Sequence, residues 1–156
     1  MPFVANLKEC ETLAAKNIWV NKAPDVNSKE CVAAVKAMTG LLGVGTSRWR
    51  RGKKVKSNSI SPGTAIATFP IEVEDRERFR FKGHAAIFVR HAATGIIVYD
   101  QWDNKRFSTR LINYRCSGHV SDDGEAFFVI ELAEVLSSEP ALCSLSSCYS
   151  ELTCGR

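Results

Sequence analysis

Cys31 has the position that a nucleophilic thiol needs, because the residues around it predict the start of a helix. Asn27 or Ser28 is suited to cap that helix, since either side-chain oxygen accepts hydrogen bonds from backbone N–H groups that lack a partner within the helix. A thiol in the first turn lies near the positive end of the helix dipole, which favours the thiolate. Cys31 is therefore the candidate for attack on an amide carbonyl carbon. The alternative is a small buried hydrophobic residue, the usual role of a lone cysteine.

His84 is the preferred general base for that thiol. It follows Gly83 and opens an apolar strand predicted at 84–90, so it lies at a sheet edge where a side chain can meet a helix terminus. His91 falls at the exposed end of the same strand, and His119, which lies in a loop, is the main competitor. The alternative for His84 is a hydrogen-bonded histidine of the core.

Asp100 is the candidate that orients the histidine. A turn signal at 93–95 predicts a hairpin between strands 84–90 and 96–102, which brings Asp100 roughly opposite His84. A carboxylate there accepts the far ring N–H and holds the tautomer. Gln101 points to the other face and replaces Asp100 only if a bulge exchanges the faces. Asp100 capping a turn is the alternative.

The remaining parts of the site follow from this triad. We predict that the backbone N–H of Cys31 is one donor to an oxyanion. Trp49, Trp102 and Gln101 are the candidates for contact with substrate, although core packing is favoured for at least one of the two tryptophans.

The elements that must position these residues are two helices followed by strands. The apolar spacing predicts helices over 6–17 and 28–42, and in the second helix Cys31, Val35, Met38 and Leu42 share one stripe. We predict a long basic connection at 43–62, a loop at 71–82, and strands at 63–69, 84–90, 96–102, 107–114 and 126–132. This order favours an α+β fold with N-terminal helices packed on a small antiparallel sheet. We expect one domain over 1–140 and a cysteine-rich tail over 141–156.

Length and charge exclude several classes of protein. A chain of 156 residues suits one domain, and no apolar run approaches the roughly 20 residues of a membrane span. Residues 1–20 are too charged for a signal peptide. The net charge of +4 is concentrated in a basic run, which is either a solvated loop or an attraction to an anionic partner. No nucleic-acid motif accompanies the run, so we expect no nucleic-acid partner. Its members are Arg48, Arg50, Arg51, Lys53, Lys54 and Lys56.

Six cysteines are many for this length, and none is spaced as in a zinc or redox CxxC motif. We therefore expect no metal and no cofactor. Disulfides that staple the tail to the domain would imply an oxidising compartment, while Cys31 stays free. The candidates, with the pairing left open, are Cys10, Cys116, Cys143, Cys148 and Cys154.

Four strings in this order resemble the NlpC and CHAP superfamily of papain-like peptidoglycan amidases. Within it the chain looks most similar to the second family of type VI secretion amidase effectors and to their domesticated relatives in arthropods such as ticks. The strings are Glu-Cys-Val-Ala-Ala-Val at 30–35, Gly-Thr-Ala-Ile-Ala at 63–67, Gly-His-Ala-Ala-Ile-Phe-Val at 83–89 and Gly-Ile-Ile-Val-Tyr-Asp-Gln-Trp at 95–102. The resemblance covers roughly residues 28–132.

This resemblance implies a papain-like fold and cleavage of amide bonds in bacterial wall peptides, specifically the cross-link between D-alanine and meso-diaminopimelate. Carried over, Cys31 is the nucleophile, His84 the base and Asp100 the orienting residue. The cysteine-rich tail departs from the bacterial pattern and suits a secreted antibacterial enzyme, the alternative being delivery to the bacterial periplasm. We expect a monomer whose partner is peptidoglycan, with an immunity protein if the chain is bacterial. The alternative function is a non-catalytic module that binds the wall or a partner.

Overall fold

The computed structural model describes residues 1–21, 28–69, 81–115 and 118–133. Within these residues the chain forms two α-helices and six strands. They are α1 (Leu7–Ala15), α2 (Cys31–Thr39), β1 (Trp49–Lys54), β2 (Ala65–Thr68), β3 (Ala85–His91), β4 (Gly95–Trp102), β5 (Lys105–Asn113) and β6 (Phe127–Leu132).

The six strands form one sheet in the order β1-β6-β2-β3-β4-β5, and all neighbouring strands are antiparallel. Helix α2 packs on β3 and β4, and α1 packs on β5. The predicted α+β fold, with N-terminal helices on an antiparallel sheet, is therefore confirmed. Strands β3 and β4 are the two strands on which the sequence predicts the histidine and the aspartate. The packing of α2 on them therefore brings the first turn of the helix close to both residues.

Alternation along the strands divides the apolar side chains between two faces. Ala65 and Ala85 face the helices, and their small side chains leave room for α2 to pack closely on the sheet. Ile66 and Phe88 point to the opposite face and pack with Phe127 in a second cluster. Both faces of the sheet centre are thus covered, which holds the strands beneath α2 in a single register.

Helix α2 is shorter than the sequence predicts. Its N-cap is Glu30, which makes no side-chain cap bond, and the helix begins at Cys31 itself. The Ser28 hydroxyl accepts the Glu30 N–H at 3.1 Å, so it closes the turn before the helix instead of capping it. Gly40 ends α2 with a φ of 76°, and beyond it Leu41 is buried while Leu42 is exposed. The predicted apolar stripe therefore stops at Met38.

The basic connection predicted at 43–62 is wrong in its central part, because β1 forms there and pairs with β6. Strand β1 lies at the sheet edge, and only its first residue, Trp49, is buried. An edge strand needs no apolar alternation where its face is open to solvent, and basic side chains on it discourage pairing with other chains. The basic residues of β1 are therefore typical of a solvated loop, and the sequence does not predict a strand there.

Several predictions fall on residues outside the described ranges. These are most of the loop at 71–82, Asn27, the tail over 141–156 and four of the six cysteines, Cys116, Cys143, Cys148 and Cys154. Cys10, a candidate for disulfide pairing, is a free and fully buried thiol in α1, and Cys31 is also free. In the described part of the chain, no helix has both the length and the apolar character needed to cross a bilayer.

Candidate active site

The thiol of Cys31 lies at the very start of α2, where it is 6% exposed. The preceding residue, Glu30, is extended, with φ −71° and ψ 149°, so the chain turns into the helix at the cysteine. The N–H groups of a first helical turn have no partner inside the helix, and they form the positive end of its dipole. The thiol is therefore placed where negative charge is favoured.

His84 is held in place by its own backbone, immediately before β3. Its N–H donates to the Thr68 hydroxyl at 2.9 Å, and its carbonyl accepts the Thr68 N–H at 2.9 Å. Gly83 has a φ of 109°, and a Cβ there would lie 2.4 Å from the Thr68 hydroxyl oxygen, so only glycine fits. This close approach to β2 sets the direction in which the His84 ring leaves the sheet.

The His84 ring connects Asp100 to Cys31. Its Nε2 lies 2.9 Å from Asp100 Oδ2, and the ring lies close enough to the Cys31 thiol for the two groups to interact. Burial by itself lowers the pKa of His84, but the hydrogen bonds and charges of Asp100 and Cys31 outweigh it and raise the pKa to about 9. The imidazolium is thus the favoured form at neutral pH, which suits a thiolate–imidazolium pair.

His84 and Asp100 meet diagonally across the β3–β4 hairpin. Ile87 pairs with Tyr99, so His84 lies three residues before one partner and Asp100 one residue after the other. Diagonal neighbours of this kind are within reach of a long side chain such as histidine. Asp100, predicted roughly opposite His84, therefore lies two residues along the strand from the position directly opposite it, while the predicted contact between them is present.

The carboxylate of Asp100 is buried among cations. Lys105 Nζ lies 2.9 Å from Oδ1 as a contact of charge whose angles are not those of a hydrogen bond. Arg110 donates to Oδ2 from Nε at 2.8 Å. Burial raises the pKa of Asp100, but the His84 hydrogen bond and the charges of Arg110 and Lys105 hold it below its ordinary value. Asp100 is thus an anion at neutral pH.

Comparisons with known proteins give the family of this chain. The sequence model of the domesticated amidase effector 2 family matches residues 2–130. The chain belongs to this family. It is 46% identical over 110 residues to domesticated amidase effector 2 of Ixodes scapularis, a match that spans 69% of this chain and 74% of that protein. The type 6 secretion amidase effector 2 structure is similar with a TM-score of 0.61 and 27% identity, covering 88% of this chain and 99% of the other. The suspected relation to this second family of effectors is confirmed.

In this member of the family Gln101 is a structural clamp with no exposed surface, so the prediction that it contacts substrate is not supported. Its Oε1 accepts the Val20 N–H at 2.7 Å, and its Nε2 donates to the carbonyls of Val20 at 3.0 Å and Glu30 at 3.1 Å. A bulge between Asp100 and Trp102 accompanies this position, yet Asp100 is the residue that contacts His84. Gln101 instead ties β4 to the residue that precedes Cys31.

Replacement of Gln101 by methionine is expected to lower the free energy of unfolding by about 2–4 kcal/mol, because buried backbone groups lose their partners. Urea denaturation at neutral pH measures the change. The matched control is Thr109→Val on the exposed face of β5, with an expected change below about 0.5 kcal/mol. A Gln101→Met protein as stable as the wild type would show that the clamp is unimportant.

The two tryptophans predicted to line the substrate groove differ in position. Trp49 is fully buried and packs edge-on against Phe81, with ring centroids 5.1 Å apart, so it belongs to the core. Trp102 is half-buried, and its ring lies 6.1 Å from the His84 ring. Of the two, only Trp102 presents surface beside the site.

The other two histidines are exposed and have other partners. His91 is exposed and its Nε2 bonds the Asn58 carbonyl at 2.8 Å. His119 is exposed and its Nδ1 lies 2.5 Å from the Ser121 hydroxyl. Of the three histidines, His84 is the one whose ring contacts Asp100. Among the described residues, no three histidine, cysteine or acidic side chains are grouped so that they could hold a metal.

Arg110 and Lys105 are the residues at the site that the sequence did not single out. Both lie on β5, and Arg110 pairs with Val98, two residues before Asp100 on the neighbouring strand. The available signal was a basic residue within the predicted strand 107–114, next to the predicted strand 96–102, which contains Asp100 near its end. That signal becomes usable only when the register of the two strands is known.

Proposed function

We propose that this protein is a cysteine amidase that hydrolyses peptide bonds in bacterial peptidoglycan, with the D-alanine–meso-diaminopimelate cross-link as its bond. The observation that carries this proposal is the contact of Cys31, His84 and Asp100 at the start of α2 in a chain of an amidase effector family. The thiol supplies a nucleophile, the imidazole a proton carrier and the carboxylate its orientation. These are the three parts that acyl transfer from an amide requires.

The reaction follows from the positions of the side chains. In the reactive pair His84 already holds the proton, and the Cys31 thiolate attacks the carbonyl carbon of the cross-link. The N–H groups at the start of α2, including that of Cys31, stabilise the oxyanion. His84 then passes its proton to the leaving amine, which departs as the C–N bond breaks. Water, with its proton taken by His84, attacks the resulting thioester, releases a carboxylate and restores the thiol.

The positive charge of the chain supports a wall as the partner. The net charge is +4, and exposed Lys53 and Lys54 lie on edge strand β1. Anionic wall polymers are attracted by such a surface at long range. We propose action outside the cell that makes the protein, as a secreted antibacterial enzyme or in the bacterial periplasm. The monomeric state and an immunity partner stay predictions.

Mass spectrometry of purified sacculi digested by the wild type tests the reaction and the bond together. We expect cross-linked muropeptide dimers to become monomers, with the new carboxyl on D-alanine and the new amine on meso-diaminopimelate. Sacculi that bind the protein but keep all dimers would support the non-catalytic module instead. Cleavage at a different amide would keep the amidase and correct its bond.

A further inference from the structure

The carboxylate of Asp100 is held by more than the histidine it orients. Arg110 presents one edge of its guanidinium to Oδ2, with Nε at 2.8 Å and Nη2 at 2.7 Å. This is the same oxygen that lies 2.9 Å from His84 Nε2. The position of Oδ2 toward the histidine is therefore set by the Nε–H donor of Arg110 as well as by His84, with the charge of Nη2 close beside it.

Arg110 is itself fixed at its far end by the segment before β6. Its Nη1 donates to Asp122 Oδ1 at 2.8 Å, and its Nη2 donates to the Ser121 carbonyl at 3.0 Å. The guanidinium also stacks over the Trp102 ring at 5.0 Å, and the side chain is 16% exposed. A guanidinium group with this many partners has little freedom to move. Its fixed position therefore also fixes the Asp100 carboxylate that it contacts.

The charges at the site show why such a partner is needed. A triad whose orienting residue is an amide carries one anion, the thiolate, beside one imidazolium. Here the orienting residue is an acid, so the reactive state holds two anions, Cys31 and Asp100, beside the single cation His84. An uncompensated second anion opposes formation of the thiolate. Lys105 and Arg110 bring positive charge to Asp100 and offset it.

We propose that Arg110 is a positioning residue of the reaction, which aims the Asp100 carboxylate at His84 and offsets its charge so that Cys31 reacts as a thiolate. This role rests on the proposed function insofar as it serves amide hydrolysis, but its effect on the thiol does not depend on the substrate. The charged groups that face the site are His84 immediately before β3, Arg110 and Lys105 from β5, and Asp122, which pairs with Arg110. Lys29 and Glu30 precede Cys31 and are exposed.

The pH dependence of Cys31 alkylation by iodoacetamide tests the proposal. Trypsin releases the thiol in the peptide 30–36, which contains no other cysteine, so mass spectrometry follows Cys31 alone. In Arg110→Gln we expect the midpoint of the alkylation–pH profile to rise by about one pH unit, with about tenfold slower alkylation on the acid side of the profile. Both the lost charge and a loosened Asp100 act in this direction. In Arg110→Lys we expect most of the wild-type midpoint to be restored, because the charge remains.

Arg90→Gln at the exposed end of β3 is the matched loss of one arginine and is expected to leave the midpoint unchanged. A folded Arg110→Gln protein with the wild-type midpoint would overturn the proposal, since a merely structural residue alters the alkylation rate at every pH alike. Circular dichroism reports whether this variant folds. If Arg110→Gln does not fold, Arg110→Lys tests the proposal. In Arg110→Lys, a wild-type alkylation midpoint together with about tenfold lower sacculus hydrolysis supports the role of Arg110 in aiming Asp100. An Arg110→Lys protein with both the wild-type alkylation midpoint and the wild-type rate of sacculus hydrolysis would overturn the proposal. A wild type that leaves sacculi intact would overturn the proposed function alone.

Discussion

Replacement of Cys31 by alanine is expected to lower the rate of cross-link hydrolysis by at least about 10⁴-fold. The thiol forms the covalent bond to the acyl group, a step that the methyl group of alanine cannot perform. The fold should survive, because alanine is a favourable helix residue and Cys31 is already a small side chain packed in the core. We expect a change in the free energy of unfolding of about 1 kcal/mol or less.

Release of muropeptide monomers from sacculi, followed over time, measures this loss. The matched control is Cys10→Ala, which removes the other described free thiol from the core of α1. It is expected to cost about 1 kcal/mol of stability and to leave the rate per folded molecule unchanged. Equal hydrolysis by Cys31→Ala and wild type would exclude the thiol mechanism, whatever the bond.

Replacement of Asp100 by asparagine is expected to lower hydrolysis by about 10³-fold, because the imidazolium loses the anion that stabilises and orients it. The same change leaves Arg110 and Lys105 facing a neutral group in a buried place. We therefore expect the free energy of unfolding to fall by about 3 kcal/mol. Sacculus hydrolysis and urea denaturation, both at neutral pH, measure the two effects.

The pH dependence of stability separates the contribution of His84. In the wild type its pKa is about 9, above the ordinary 6.5, so the folded state binds this proton more tightly than the unfolded state. The stabilisation is complete below pH 6.5 and is lost as the pH rises through 9. In Asp100→Asn the main cause of the raised pKa is gone while burial remains, so we expect this decline in stability to shrink or disappear.

Asp103→Asn is the control for the loss of one carboxylate near the end of β4. Asp103 is exposed and lies 3.7 Å from Lys29, so its removal should change stability by less than about 0.5 kcal/mol and keep the wild-type pH profile. A steep decline in the stability of Asp100→Asn between pH 6.5 and 9, as in wild type, would show that Asp100 does not set the pKa of His84.

The sequence predicted the elements that carry the reactive groups because their signals are local. The stripe from Cys31 to Met38 marked a helix face toward the protein, and the turn at 93–95 marked the β3–β4 hairpin. Where burial and pattern disagreed, prediction failed: β1 carries basic residues on an edge strand, and its tryptophan enters the core. An edge strand is difficult to predict from its apolar pattern, because only part of the strand needs to be apolar.

By itself, then, the sequence determined which residue types are available for amide chemistry, their order, and the short elements on which they lie. Only the tertiary structure decided the electrostatics. The partners of Asp100 come from β5 and from the segment before β6, and the clamp on the start of α2 comes from Gln101. These contacts join residues distant along the chain, and strand register and a bulge select them. Local periodicity carries no information about which cation will face a given carboxylate.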